Sequence, residues 1–571
     1  MKHEVRGISY HNTSHKRIVS VSIDNLLSQI RDTFNEMLRM GVYEHGLNQD
    51  EIDKRLQEKK ILRSMLKNCT FGDSEAKNYV KNQIMEILVK KYNVNKDNID
   101  TIIHFNDPMA MSAQDIFEAV LYLYKTDYKA DALDRLMSDF GFGNPKISSM
   151  GEQYYEIDSE DIRDMLDRVS LTSLGFIDKL KIITQRVYQL YKGNGVIDEI
   201  RDMRIDGVSA GVSGIPKDMD VGNNFIRGDV NSFDSIWIFY HGKSIRLSFL
   251  SFKSQKELVR VCKNIYKYNN PGQLSQARGY IVNEMKDGSR VTVARPPFCE
   301  SWVMFIRKFD SVSKQDIASL ITDDNSSLPI QLIWWLIKGC CVTGVTGQQG
   351  TGKTTLLMSM IGFIEPSYNL RIQEMSFELH LRKIYPHRNI VTFRETGTIS
   401  GQEGLDLMKK TDGTVSILGE VASAPVASWL VQMAGVGSLF TLFTHHAKTT
   451  KDLIISLRNA LLSEGGFSNE RIATEQVCTA INFDIHMVKD IDGHRYIERI
   501  TQIVPSVESD KEGLTGKMFN TRDIVRWENG TYRIAGELSE DICAHIKSFL
   551  SVSDKEDFDN FANDLRMGAK V

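Results

Sequence analysis

The chain is poor in cysteine and proline, and neither sign of charge dominates it. Its seven cysteines, at 69, 262, 299, 340, 341, 478 and 543, never fall in a C-x-x-C spacing. An odd, scattered set excludes a disulfide framework and a zinc knuckle, and points to a reducing compartment. Eleven prolines and 40 glycines exclude a collagen-like or low-complexity chain. The formal net charge is −4 at pH 7. Direct nucleic-acid binding, which usually rests on a strongly basic domain, is therefore not expected. The stretch Met1-Lys2-His3-Glu4-Val5-Arg6 has charge but no apolar core, so no signal peptide is expected.

A long apolar run is also missing once its one candidate is inspected. Val421 to Thr444 is uncharged for 24 residues, enough to span a bilayer. It contains Ser423, Pro425, Gln432 and Thr441, and Gly435-Val436-Gly437 divides it into a helix-length piece and a β-rich piece. Two buried elements of a sheet protein explain it better.

The 571 residues suggest about four units at ~150 residues each. Residues 1–192 read as a helical N-terminal extension. Ile23, Leu27, Ile30, Phe34 and Leu38 keep the helical period up to about Gly41, and Tyr79–Leu88, Ile162–Val169 and Phe176–Tyr191 repeat it. Residues 193–312 read as a small α+β domain. Its hairpins are Ile236–Tyr240 with Ile245–Phe249, and Tyr280–Asn283 with Arg290–Val293 across an Asp-Gly turn. A helix near Lys256–Tyr268 and a strand Trp302–Ile306 complete it. Residues 313–535 alternate strand and helix, as in a parallel α/β domain. The expected strands are Cys340–Val345, Leu370–Gln373, Asn389–Phe393, Thr414–Leu418 and Leu439–Thr444. A helical tail, 536–571, closes the chain.

Four segments carry chemistry. Gly347-Gln348-Gln349-Gly350-Thr351-Gly352-Lys353-Thr354 matches G-x-x-x-x-G-K-[ST]; at average residue frequencies roughly 0.02 chance matches are expected in a chain this long. It follows an apolar strand and opens a helix at Lys353, with Thr355 next. Glycines let the backbone N–H groups turn onto phosphate oxygens, and the helix N-terminus adds positive potential. Lys353 is expected on the β- and γ-phosphates and the Thr354 hydroxyl on Mg²⁺. Thr414–Glu420 is a buried strand ending in an acid, as in a Walker B strand; Glu420 would reach the Mg²⁺ shell through water or orient the attacking water. Glu374 and Glu378 follow a strand, and an i, i+4 helical spacing would put both on one face, where either could activate water. His445 and His446 end a strand and point opposite ways. That argues against a two-histidine metal site and leaves one of them near the phosphates.

In this order the segments resemble the type II/type IV secretion ATPases, with the CpaF-like (Tad pilus) branch the nearest. The family's acidic box falls on Arg371–Leu379, its Walker B on Ile417–Val421 and its His box on Thr444–Thr449. Asp484–Lys489 with Asp492–Glu498 resembles its C-terminal hairpin. Asp287–Val291 and Phe305–Phe309 resemble its N-terminal domain, so the likeness covers about 190–535. It implies a RecA-like P-loop ATPase domain preceded by the α+β domain, with ATP and Mg²⁺. It also implies a homohexamer in the cytoplasm, docked on an inner-membrane platform protein. Within it, Glu420, Glu374, Glu378 and His446 are catalytic candidates, and Arg290 and Arg307 are candidate arginine clamps, with Arg295 behind them. Met375, Ala422, Ser423 and Gly397 depart from the family pattern, so Arg382, Arg394 or Arg458 could supply closing charge instead. Two alternatives stay open: a conjugation-type ATPase with a nucleoprotein substrate, and a scaffold that binds ATP without turning it over.

Overall fold

The computed structural model describes residues 22–39, 49–214, 231–308, 316–375, 377–396, 399–465, 467–491, 493–505 and 519–569. The segment 1–6, the helix end at Gly41, the boundary at 312/313, and Phe309, Gly397 and Asp492 lie outside the described residues. The chain forms two units, Met1–Lys308 and Phe309–Val571.

In the first unit, the periodic segments are helices. Ile23–Arg39 buries Leu26, Ile30 and Phe34 on one stripe, as a 3.6-residue period demands. Asp73 caps the helix Ser74–Lys90 by accepting from the backbone N–H of Glu75 and Ala76, and Ser112 and Asp115 form a capping box for Ala113–Tyr128. The helix Phe176–Tyr191 follows. Three two-residue strands also lie in this stretch: β1 (Lys146–Ile147), β2 (Gln153–Tyr154) and β3 (Glu156–Ile157). Helical periodicity gave no sign of them.

Next come β4 (Gly207–Ala210), β5 (Ile236–Tyr240), β6 (Lys243–Leu247), β7 (Tyr280–Glu284), β8 (Arg290–Ala294) and β9 (Val303–Arg307). They build a sheet of order β3-β6-β5-β4-β9-β8-β7. Phe34, Ile84 and Ile183 from the helices and Ile238, Val293 and Ile306 from the sheet share one hydrophobic core. The expected division at 192/193 therefore falls inside a single core.

The second unit holds β10 (Thr343–Gly347), β11 (Leu370–Glu374), β12 (Ile390–Arg394), β13 (Val415–Leu418), β14 (Phe440–His445), β15 (Phe483–Lys489), β16 (Arg495–Pro505), β17 (Phe519–Glu528) and β18 (Thr531–Ile534). Their order is β12-β11-β13-β14-β10-β15-β16-β17-β18. From β12 to β15 neighbours are parallel, and from β15 to β18 antiparallel. One strand, β14, separates β10 from β13, which is the RecA-like arrangement.

The strand expected from Cys340 begins only at Thr343, because Cys340 sits at φ 53°, outside the β region. The uncharged run 421–444 resolves into a helix Ala424–Gln432, a π-turn Met433–Gly437 and β14. Among the described residues no helix is long and apolar enough to cross a membrane. The terminal helices Glu540–Phe549 and Val552–Gly568 bury Ile546, Phe558 and Leu565 in the same core as the sheet. The Phe558 ring meets Trp335 edge-on at 5.3 Å.

Candidate nucleotide-binding site

The site starts with β10, buried along its whole length between β14 and β15. It ends at Gly347, whose φ of 141° no side chain adopts comfortably, and where a Cβ would stand 2.3 Å from the Met487 carbonyl oxygen. Gly352, at φ 97°, turns the chain into the helix Lys353–Met360. Gln348, Gln349 and Gly350 form the exposed crest between them.

Side chains close this loop on itself. The Thr351 hydroxyl donates to the Gln348 carbonyl at 2.9 Å, and Lys353 Nζ donates to the same oxygen at 2.8 Å. Burial lowers the Lys353 ammonium to about 8, against the opposing pull of Glu420. Arg495, at the start of β16, donates from Nε to the Gly350 carbonyl at 3.0 Å.

Glu420 lies two residues beyond β13 and His446 one residue beyond β14. His446 stands between the acid and the P-loop: its Nε2 is 3.2 Å from Glu420 Oε1, and its Nδ1 is 3.3 Å from Lys353 Nζ. A neutral imidazole with its proton on Nε2 satisfies both contacts, donating to Glu420 and accepting from Lys353. His445 points the other way, as strand alternation requires. It is buried, with Nδ1 2.7 Å from the Val421 carbonyl oxygen and Nε2 3.0 Å from the Ser456 hydroxyl. Burial lowers its pKa. Thr444 donates to the Gly419 carbonyl at 2.6 Å and so ties β14 to the Glu420 turn.

The helix expected to align Glu374 and Glu378 is absent. Glu374 ends β11, and Glu378 lies in the turn after it. Glu374 is 4% exposed, and its Oε1 accepts from the backbone N–H of Glu378 and Leu379 at 2.9 and 2.8 Å. Those bonds hold the turn in place of a helical one, so the pair meets through a carboxylate and a backbone, not as two carboxylates on one face. Glu374 still borders the Walker B turn: a Cβ on Gly419 would lie 3.0 Å from Glu374 Cγ.

A buried network under the loop carried no functional reading in the sequence. Thr346 Oγ1 donates to Asp484 at 2.6 Å and meets His486 Nδ1 at 2.8 Å; Thr450 holds the other Asp484 oxygen at 2.6 Å. Burial raises the Asp484 carboxyl and lowers His486 to about 4. The available signal was Asp484 and His486 at i, i+2, on one face of a strand. Arg495 falls within the hairpin segment Asp492–Glu498, with no role assigned to it.

The candidate clamps lie in the first unit. Arg290 begins β8 and Arg307 ends β9, and the register sets them directly opposite each other. Of the other arginines, Arg458 pairs with Glu470, Arg394 stands 4.9 Å from the Phe377 ring centre, and Arg382 is exposed. Among the described residues no group of three or more His, Cys, Asp or Glu side chains is placed to hold a metal. The Thr354 hydroxyl and the Glu420 carboxylate are hard oxygen donors of the kind Mg²⁺ takes together with phosphate and water.

A glycine-lined loop between a buried central strand and a helix, with a lysine, an imidazole and a carboxylate in line, defines a P-loop nucleotide-binding fold. Residues 283–489, from within β7 to the end of β15, match the family model described as Type II/IV secretion system protein. The uncharacterized protein MJ1287 of Methanocaldococcus jannaschii is 28% identical over 233 residues, 39% of this chain and 79% of that protein. The Legionella pneumophila ATPase DotB is 17% identical with a TM-score of 0.36, over 52% of this chain and 76% of its own. The VirB11 ATPase from the Brucella suis type IV secretion system is 16% identical with a TM-score of 0.28, over 52% of this chain and 89% of its own.

Proposed function

We propose that this chain is an ATP-hydrolysing motor of a type II/type IV secretion or pilus-assembly system, of the CpaF-like branch. One observation carries the reading: Lys353, at the start of the helix after β10, His446, just past β14, and Glu420, just past β13, stand in a line of close polar contacts beyond three neighbouring parallel strands. Residues Gly347 to Thr355 bind the ATP phosphates through backbone N–H groups and Lys353. Thr354, and Glu420 through water, would hold Mg²⁺, which supplies charge neutralisation at the β- and γ-phosphates. Glu420 orients or deprotonates the attacking water. His446 relays position between that carboxylate and the lysine. Glu374 and Glu378 shape the neighbouring turn, with Glu374 anchored by backbone N–H groups.

The working form is a homohexamer in the cytoplasm, held at the inner membrane by a platform protein. Arg290 faces Arg307 on β9 and Glu284 on β7, and the resemblance to the secretion ATPases gives Arg290 and Arg307 the role of clamps. These two arginines neutralise charge developing on the transferred phosphoryl group. Phosphate release by the purified chain, with and without Lys353→Ala, tests the motor against a scaffold that binds ATP and never turns it over. Turnover lost with Lys353→Ala supports the motor; no turnover by the parent chain, with ATP still bound, overturns it. Arg290→Lys and Arg307→Lys at near-parent rates would remove the clamps and leave the ATPase standing.

A further inference from the structure

A cavity of about 860 Å³ opens in the first unit, within the ~300–1,000 Å³ range of small-molecule sites. Three helices end at it: Gln49–Asn68, Phe176–Tyr191 and Gln255–Ile265. Arg63, Lys67, Lys192, Lys267 and Lys286 line it, and no aspartate or glutamate does. Lys286 is paired with Asp73 at 2.5 Å. None of the other four cations has an ion-pair partner among the described residues.

Lys67, Lys192 and Lys267 have a simple local explanation, since a cation at a helix C-terminus meets the negative end of the macrodipole. Three helix ends supply only roughly −1.5 charges in total. Four unpaired cations exceed that, so the cavity keeps a net positive charge. One carboxylate ligand would leave most of it uncompensated, whereas a phosphate group brings about −1.5 to −2.

The walls also offer more than charge. Tyr191 and Tyr268 present half-buried rings, and Lys192 Nζ stands 5.2 Å from the Tyr191 ring centre. Asn269 and Asn270 form one rim, both at φ 54°, a backbone conformation that costs energy and that folds keep mainly where a turn is needed. Burial lowers the Lys192 ammonium from its usual value, and Arg260, Arg31 and Lys267 repel it further. An anion in the cavity would relieve that repulsion.

We propose that this cavity binds a phosphate-bearing anion of small-molecule size, with Arg63, Lys67, Lys192 and Lys267 neutralising the phosphates. The site belongs wholly to the first unit and does not depend on the P-loop reading. Its chemistry is shared by a free polyphosphate and by a phospholipid headgroup.

The test uses the full chain carrying Lys353→Ala, so that the P-loop lysine contributes nothing. Inorganic tripolyphosphate is titrated in calorimetry, and vesicles of phosphatidylglycerol in phosphatidylcholine are tested by co-sedimentation. Lys67 and Lys267 are exposed and unpaired, so Lys67→Glu with Lys267→Glu removes no native ion pair. That pair should weaken binding at least tenfold, and Lys67→Gln with Lys267→Gln by a smaller factor, with unchanged circular dichroism. Tripolyphosphate binding lost in this way supports the site and assigns a free anion. Vesicle binding lost in this way, without tripolyphosphate binding, supports it and assigns a headgroup. Binding equal in parent and charge-reversed chains, or no binding of either probe, overturns it.

Discussion

At the P-loop, positive potential comes mainly from the backbone: N–H groups turned outward by Gly347, Gly350 and Gly352, a helix N-terminus, and one lysine. In the cavity of the first unit it comes wholly from side chains, gathered near three helix C-termini whose negative dipole ends offset part of that charge. The first design fixes its donors before the ligand arrives. The second leaves long, mobile cations to be ordered by the ligand, at a cost in side-chain entropy. Fixed donors suit a reaction, because they need no reorganisation as charge develops. Mobile cations suit binding. The two sites should therefore fail differently when perturbed.

The largest failure belongs to Lys353. It is the one cation in a site otherwise built of dipoles, and it packs on its own loop carbonyl rather than in the core. Lys353→Ala is expected to cut phosphate release by at least about 10³-fold, the upper range for one preorganised electrostatic group, while the melting temperature stays close to the parent's. Near-parent turnover in a folded variant would erase the contrast between the sites. Glu420→Gln comes next. It keeps a hydrogen-bonding partner for His446 but cannot take a proton. Turnover should fall about 10²-fold with the affinity for a fluorescent ATP analogue retained. Equal loss of both would make Glu420 a structural residue.

The same contrast explains what could be read from the chain. A P-loop is a local pattern, because eight consecutive residues dictate the backbone path; Gly347–Thr354 stands where the motif demanded. The opposite pointing of His445 and His446 followed from strand alternation alone. Glu374 and Glu378 misled, because an i, i+4 spacing shows a shared face only if a helix exists. Here Glu374 itself stabilises the non-helical turn by accepting from the backbone of Glu378 and Leu379. The cavity was illegible for the opposite reason. Its cations run from Arg63 to Lys286 and meet only through tertiary packing, and each alone looks like an ordinary surface cation. The two-residue strands β1 to β3 are too short for a period-2 pattern to register.

A smaller effect concerns protons. With its pKa lowered to about 8, Lys353 is largely neutral above that pH in the nucleotide-free chain. Phosphate oxygens favour the charged form and raise the pKa again. Between the free and bound values, binding takes up a proton, so affinity falls as pH rises above about 8, by up to roughly tenfold per unit. Calorimetry at pH 8.5 in two buffers of different ionisation enthalpy should show net proton uptake, and Lys353→Met should abolish it. Proton release, or uptake that survives Lys353→Met, would assign the titration to another group.

The smallest expected effect tests how the fixed site is kept fixed. Among the described residues, Arg495 is the one of the β15–β16 hairpin that bonds the loop crest, through Nε to the Gly350 carbonyl at 3.0 Å. The bond lies in solvent, so its net worth is about 1 kcal/mol. If Arg495 only pins the crest, Arg495→Ala weakens nucleotide binding about fivefold. Arg495→Lys then recovers part of that, since any donor reaching the carbonyl serves. If the guanidinium leaves the loop to grip phosphate when nucleotide binds, the loss exceeds tenfold. Lysine would then fail to replace it, because it lacks the planar fork. A fivefold loss with partial rescue keeps the P-loop a backbone site whose geometry is set from the neighbouring hairpin. A large loss without rescue would make Arg495 a second cation of the site and bring its construction closer to that of the cavity.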